Sequence, residues 1–256
     1  MTRALESKAE KIAHLRQRIA QIPARSVTAP DPSPVIATPR RTHPEESPAA
    51  LASAPALGTL PTPAPIADLL PHHGLVRGST VQVSGAAALR VGLVASVTGA
   101  GGWAAIVGRP KFGLLAAAEM GADLARCAII PDAGDDPAAV AAVLVDGVDV
   151  VLLSLGGADV PPSRARAVTA RARRNGAVLV VTDGRWPAID LQLDARVAGH
   201  RGLGANGGRI TGLDLEVEAR PRGQRPRRAT VAITGQSGDV TWATTQIDPT
   251  PLKIAQ

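Results

Sequence analysis

The chain has 256 residues and a formal net charge of +6, and its apolar content rests on Ala, Val and Leu, with one Phe and no Tyr. That length gives room for one ordinary domain plus tails, and the basic, arginine-dominated balance favours acidic partners such as nucleic acid. The lone Cys127 excludes an internal disulfide and a paired-cysteine zinc site.

Residues 2–22 read as an amphipathic helix. Leu5, Ile12, Leu15, Ile19 and Ile22 recur at helical spacing, with Lys8, Lys11, Arg16 and Arg18 on the remaining surface. One such helix cannot bury its own stripe, so it is expected to pack on its domain or on a partner. Because these residues are charged throughout, no secretory leader is expected. No uninterrupted apolar run reaches the roughly 18 residues of a membrane span. A cytoplasmic protein without membrane contact is the expectation. From 23 to 65 prolines recur every few residues among Ala, Ser and Thr, the composition of a disordered or extended Pro/Ala-rich linker. The folded domain is expected to span 66–245, followed by a tail over 246–256. His72 and His73 sit in a turn, with no other ligand at metal spacing.

The stretch Gly78 to Gly92, GSTVQVSGAAALRVG, is the centre of the chain. Val81 and Val83 lie on a buried strand running into Gly85, and Leu89, Val91 and Leu93 open an apolar helix. Strand, glycine and helix are the frame of a phosphate-binding loop, G-x-x-x-x-G-K-[ST]. On that frame Gly85 is the first glycine, while Arg90 replaces the second glycine, Val91 the lysine and Gly92 the hydroxyl residue. The lysine would reach the β- and γ-phosphates and the hydroxyl would hold Mg²⁺. Neither is present.

Further on, AAIVG (104–108), CAIIPD (127–132), VDVVLLSL (148–155) and AVLVVTDG (177–184) read as strands, separated by helices over 112–120, 138–144 and 161–175. The last two strands are apolar without alternation, the mark of strands buried on both faces of a parallel sheet. Strands alternating with helices predict a doubly wound α/β fold. Beyond Pro187 the period becomes two, in LQLDARVAG, LDLEVEAR, ATVAIT and VTWATT, which predicts an antiparallel extension of that sheet. The G-x-G-x-x-G at Gly202, Gly204 and Gly207 leads into strand-like sequence rather than a helix, so it is an accidental match.

Two arginine clusters stand out. One is on the 161–175 helix, with Arg164, Arg171, Arg173 and Arg174; the other is Arg220, Arg222, Arg225, Arg227 and Arg228 in RPRGQRPRR. Each could contact phosphates or an acidic partner, or be a solvated face. No aromatic side chains are interleaved with them for base stacking.

The order of motifs resembles the core of the RecA recombinase fold over about residues 66–215. The segments ADLLPHHGLVRGSTVQVSG, AAEMGADLARCAIIPD and VDVVLLSL stand where that family has its approach to the phosphate loop, its next helix and strand, and its Walker B strand. More narrowly, LPHHGL, the long Pro/Ala linker and the decayed loop SGAAALRV are similar to actinobacterial ImuA-type accessory proteins of the damage-induced mutagenesis cassette. The resemblance implies a RecA-like, mostly parallel sheet with a degenerate nucleotide site at Gly85, Arg90, Val91, Gly92, Arg109 and Ser154. In it Arg109 stands at the catalytic glutamate and Ser154 at the Walker B aspartate, so no ATPase activity and no cofactor are implied. The implied role is a non-catalytic adaptor in translesion DNA synthesis during the SOS response, nucleoid-associated after damage. The implied partners are an ImuB-type polymerase-like adaptor and, through it, an error-prone polymerase and the sliding clamp, with non-specific DNA as an additional contact. The alternative is a DNA-stimulated ATPase or a plain DNA-binding module. The segments GGADVPPS and GRWPAI are also shorter than a recombinase's DNA-binding loops.

Overall fold

The computed structural model describes residues 58–245 apart from 110, 205, 206 and 237. The expected helix over 2–22, the linker up to residue 57 and the tail over 246–256 lie outside the described residues.

A short hairpin leads in. Strand β1 (Thr59–Leu60) pairs antiparallel with β2 (Leu75–Val76), and helix α1 (Ala64–Ala67) lies between them. Leu60, Pro63, Pro65 and Ile66 are buried. Residues 58–65 therefore belong to the fold, although their proline content places them in the linker by composition. Prolines tolerate this position because an extended lead-in with a helix start needs few backbone donors.

The main sheet has nine strands in the order β11-β10-β9-β8-β3-β7-β6-β4-β5. Strands β3 (Thr80–Gly85), β4 (Ala104–Val107), β5 (Cys127–Ile130), β6 (Val150–Ser154) and β7 (Val178–Thr182) are mutually parallel, and β8 (Leu191–Gly204) runs parallel to β3. Strands β9 (Gly207–Pro221), β10 (Arg227–Gln236) and β11 (Asp239–Thr245) add on antiparallel. The fold is α/β, a mostly parallel sheet flanked by helices with a C-terminal antiparallel extension.

Periodicity explains which faces are covered. All five residues of β6 and of β7 are buried, because helices cover both sides there. Helix α2 (Ala87–Gly99) packs Leu89, Leu93, Val94 and Val97 against Val81, Val83, Ile106, Leu152 and Val180. On the opposite face α4 (Pro137–Leu144) and α5 (Pro162–Asn175) bring Ala138, Ala141, Ala165, Val168 and Ala172 against Val107, Val151, Leu153, Leu179 and Val181. Small alanines let these helices approach closely, so the core closes with almost no aromatic volume. Each buried Leu or Ile contributes about 1.5–3 kcal/mol relative to exposure.

Among the described residues, no helix covers the α5 side beyond β3. Leu191, Leu193, Leu215, Val217, Val231 and Ile233 continue the buried face, while Gln192, Asp194, Arg196 and Glu216 are exposed. That alternation is what a sheet covered on one face requires. Helix α3 (Leu114–Glu119) and a 3₁₀ turn (Leu124–Arg126) connect β4 to β5. Among the described residues, β5 and β11 are the edge strands of the sheet.

Candidate functional site

Strand β3 ends at Gly85 and α2 begins at Ala87, so Ala86 alone makes the crossing. A phosphate loop needs several residues there, their amides turned inward around the anion. Here the Ala86 amide is already engaged, donating to the Ala195 carbonyl of β8 at 2.7 Å. Gly85 has φ +80°, and a β-carbon on it would be driven into that same carbonyl. The close approach of β8 therefore accounts for this glycine without a ligand.

One turn into the helix, Arg90 is 8% exposed, and its guanidinium turns back to donate to the Gly85 carbonyl at 3.1 Å. Burial, and then the like charge of Arg109, lower its pKa, while Asp183 opposes that shift. Arg109, which follows β4, forms an ion pair with Asp183, which follows β7. From β6, between those strands, the Ser154 hydroxyl donates to the same carboxylate at 2.9 Å. Asp183 has a left-handed backbone, φ +55°. Its neighbour Thr182 is buried, and the Thr182 hydroxyl has no hydrogen-bond partner among the described residues.

Arg90, Arg109, Ser154 and Asp183 thus meet at the carboxyl ends of β3, β4, β6 and β7. Open α/β sheets receive their ligands at such an edge. The cluster holds two guanidinium groups against one carboxylate. Asp183 is the member that the sequence reading omitted. Its signal was an acid closing the doubly buried strand VLVVT, in Thr182-Asp183-Gly184.

Val91 and Gly92 do not join the cluster. Val91 is buried in the helix packing, and a β-carbon at Gly92 would stand 2.5 Å from the Trp242 ring of β11 and 3.2 Å from Pro63. At position 92 a glycine lets the last strand lie against α2. Trp242 is half-buried there, while Trp186 is core, its indole N–H donating to Thr169 at 3.3 Å.

The two short loops beside the cluster are joined to each other. Val160 donates its amide to Arg185, Arg185 donates to Ala158, both at 3.2 Å, and Asp159 bridges Arg185.

The arginine clusters divide by location. Arg164 pairs with Asp136, and Arg171 with Asp146, holding α5 to the start and end of α4. Arg220 and Arg228 both pair with Glu218 on the helix-free face of the extension. Arg173 pairs with Asp190 at 3.2 Å. Arg174, Arg222, Arg225 and Arg227 have no ion pair among the described residues. Arg173 and Arg222, one from each cluster, line the same groove of about 440 Å³ at the amino end of β3.

Residues 68–188 match the family model described as MT3502 N-terminal domain. The Mycobacterium tuberculosis protein named "Uncharacterized protein Rv3395c" is 54% identical over 154 residues, which is 57% of this chain and 76% of that relative. The chain belongs to the MT3502 family. All four members of the carboxyl-edge cluster fall inside the MT3502 match, and strands β8 to β11 fall outside it. Among the described residues no helix is long and apolar enough to cross a membrane.

Proposed function

We propose that this protein is a non-catalytic, RecA-like accessory factor of ImuA type, acting as an adaptor in error-prone translesion DNA synthesis. The observation that carries the reading is the one-residue crossing from β3 to α2, with Arg90 folded back onto Gly85. The residues do not fit a nucleoside triphosphate with Mg²⁺. Val91 and Gly92 supply neither ammonium nor hydroxyl, and Ser154 and Arg109 supply no carboxylate. Arg90 is turned onto the Gly85 carbonyl and Arg109 is paired with Asp183, so both guanidiniums are already engaged where a substrate's phosphates would have to be bound. A domain that keeps such an edge closed can serve as a rigid platform for partners.

The implied partners are an ImuB-type polymerase-like adaptor and, through it, an error-prone polymerase and the sliding clamp. The test is a pull-down of each purified partner with the full chain, alongside phosphate release from ATP with and without single-stranded DNA. Capture of the adaptor without hydrolysis is expected. Hydrolysis that disappears on Arg90→Ala would replace this reading with a DNA-stimulated ATPase.

A further inference from the structure

The amino ends of the parallel strands form one continuous edge, opposite the cluster described above. Following strand order, Arg126 precedes β5, Trp103 precedes β4, Asp149 precedes β6, Ser79 precedes β3 and Asp190 precedes β8. Strand β9 runs the other way and ends there at Pro221, so Arg222 joins the row. From β5 to β9 the six interstrand steps of about 4.8 Å span about 29 Å.

Two kinds of group recur along that edge. Trp103 is 49% exposed, and the Arg126 guanidinium lies over its ring at 5.3 Å from the centroid. Next, Arg77 bridges β6 and the end of α5, donating to Asp149 at 2.8 Å and to the Gly176 carbonyl at 3.4 Å. Then comes the groove. Leu70, Val76, Leu191 and Pro221 give it an aliphatic floor, and Arg77, Arg173 and Arg222 give it cationic walls. Of the facing carboxylates, Asp123, Asp149 and Asp190 are each held by an arginine (Arg126, Arg77 and Arg173) and by a backbone amide, from Ala125, Trp103 and Thr80 respectively.

We propose that this amino edge, from Trp103 and Arg126 to the groove at Arg222, is a binding track for single-stranded nucleic acid. Guanidinium groups spaced along a row neutralise phosphates. An exposed indole and an aliphatic pocket offer flat apolar surface to unstacked bases, which is how sequence-tolerant single-strand sites gain affinity. An acidic peptide would use the same arginines but has no need of an exposed tryptophan beneath a guanidinium. The Trp103–Arg126 platform therefore decides for nucleic acid. The proposal stands independently of the adaptor reading.

The test is fluorescence anisotropy of a labelled fifteen-nucleotide oligo-dT with the full chain, at low and rising salt. Arg173→Glu with Arg222→Glu should weaken binding more than tenfold and flatten the salt slope. Trp103→Ala should weaken it about tenfold, and Trp103→Phe should restore most of the loss. The control pair Arg185→Glu with Arg209→Glu makes the same charge change away from this edge and should cost less than threefold. Equal loss in both pairs would overturn the proposal, since net charge alone would then explain binding. Wild-type affinity in Trp103→Ala would also overturn it, as would a poly-glutamate peptide that displaces the oligonucleotide at equal concentration. That last result would assign the edge to an acidic protein segment. All of these side chains are at least partly exposed, and circular dichroism melting checks that each variant is folded.

Discussion

Arg109 and Asp183, 74 residues apart in sequence, meet as an ion pair across the carboxyl ends of β4 and β7, with β6 between them. Ser154 of that middle strand donates to the same carboxylate. Asp183 thereby ties three strands together and is also the anion nearest Arg90 in effect, opposing the loss of its proton.

Asp183→Ala should therefore destabilise the fold by about 1–3 kcal/mol, because Ser154 loses its acceptor and two guanidiniums are left facing each other. Asp183→Asn keeps an acceptor but not the charge and should cost less. Urea unfolding of both variants measures the difference. Equal midpoints for wild type and Asp183→Ala would show that the cluster carries no stability.

Gly92→Ser would return a hydroxyl to the position where a phosphate loop carries one. Its β-carbon would meet the Trp242 ring at 2.5 Å, so overpacking of about 1–3 kcal/mol is expected instead of nucleotide binding. In the Trp242→Ala background the same substitution should cost much less. A double-mutant cycle on thermal or urea unfolding gives that coupling directly, and additive costs would separate Gly92 from the last strand.

Asp149 links pH to stability. Burial on its own would raise its pKa, but the Trp103 amide and Arg77 together hold it below the ordinary carboxylate range. A folded-state pKa below the unfolded value gives stability that is present above about pH 4 and is lost as pH falls through the folded pKa. Asp149→Asn should lower the melting temperature at pH 7 by the equivalent of about 1–2 kcal/mol. Below about pH 3 the gap from wild type should narrow. A gap that stays constant with pH would mean that the carboxylate contributes by shape alone.

Strand β11 is an open antiparallel edge whose residues are mostly exposed, and the turn carrying Arg225 lies at the far end of its neighbour β10. Such an edge accepts a partner's strand, and a basic turn beside it steers an acidic one. If the adaptor proposed above as a partner binds here, truncation after Thr245, or Arg225, Arg227 and Arg228 changed to Glu, should lower its binding at least tenfold while circular dichroism stays unchanged. Full binding by both variants would move the interface elsewhere.

Local sequence determined much of the framework. VVLLS and VLVVT could only be strands covered on both faces, and the period-two segments after Pro187 could only present one apolar face, so parallel core and antiparallel extension were both legible. Of the residues singled out in the sequence, Gly85, Arg90, Arg109 and Ser154 converge at one sheet edge, whereas Val91 and Gly92 face the packing of α2 instead. What local pattern did not carry was which distant segment each residue would meet. Gly85 reads as a phosphate glycine until β8 arrives from 110 residues downstream and places the Ala195 carbonyl against it. Gly92 reads as a lost hydroxyl until Trp242 closes over it. The arginine runs read as two separate patches until the sheet order brings Arg173 and Arg222 to one groove, beside an edge that also presents Trp103. Hydrophobic periodicity reports which face of an element is buried, but strand order and register are settled by packing between segments far apart in the chain, and both edges of this sheet owe their chemistry to that packing.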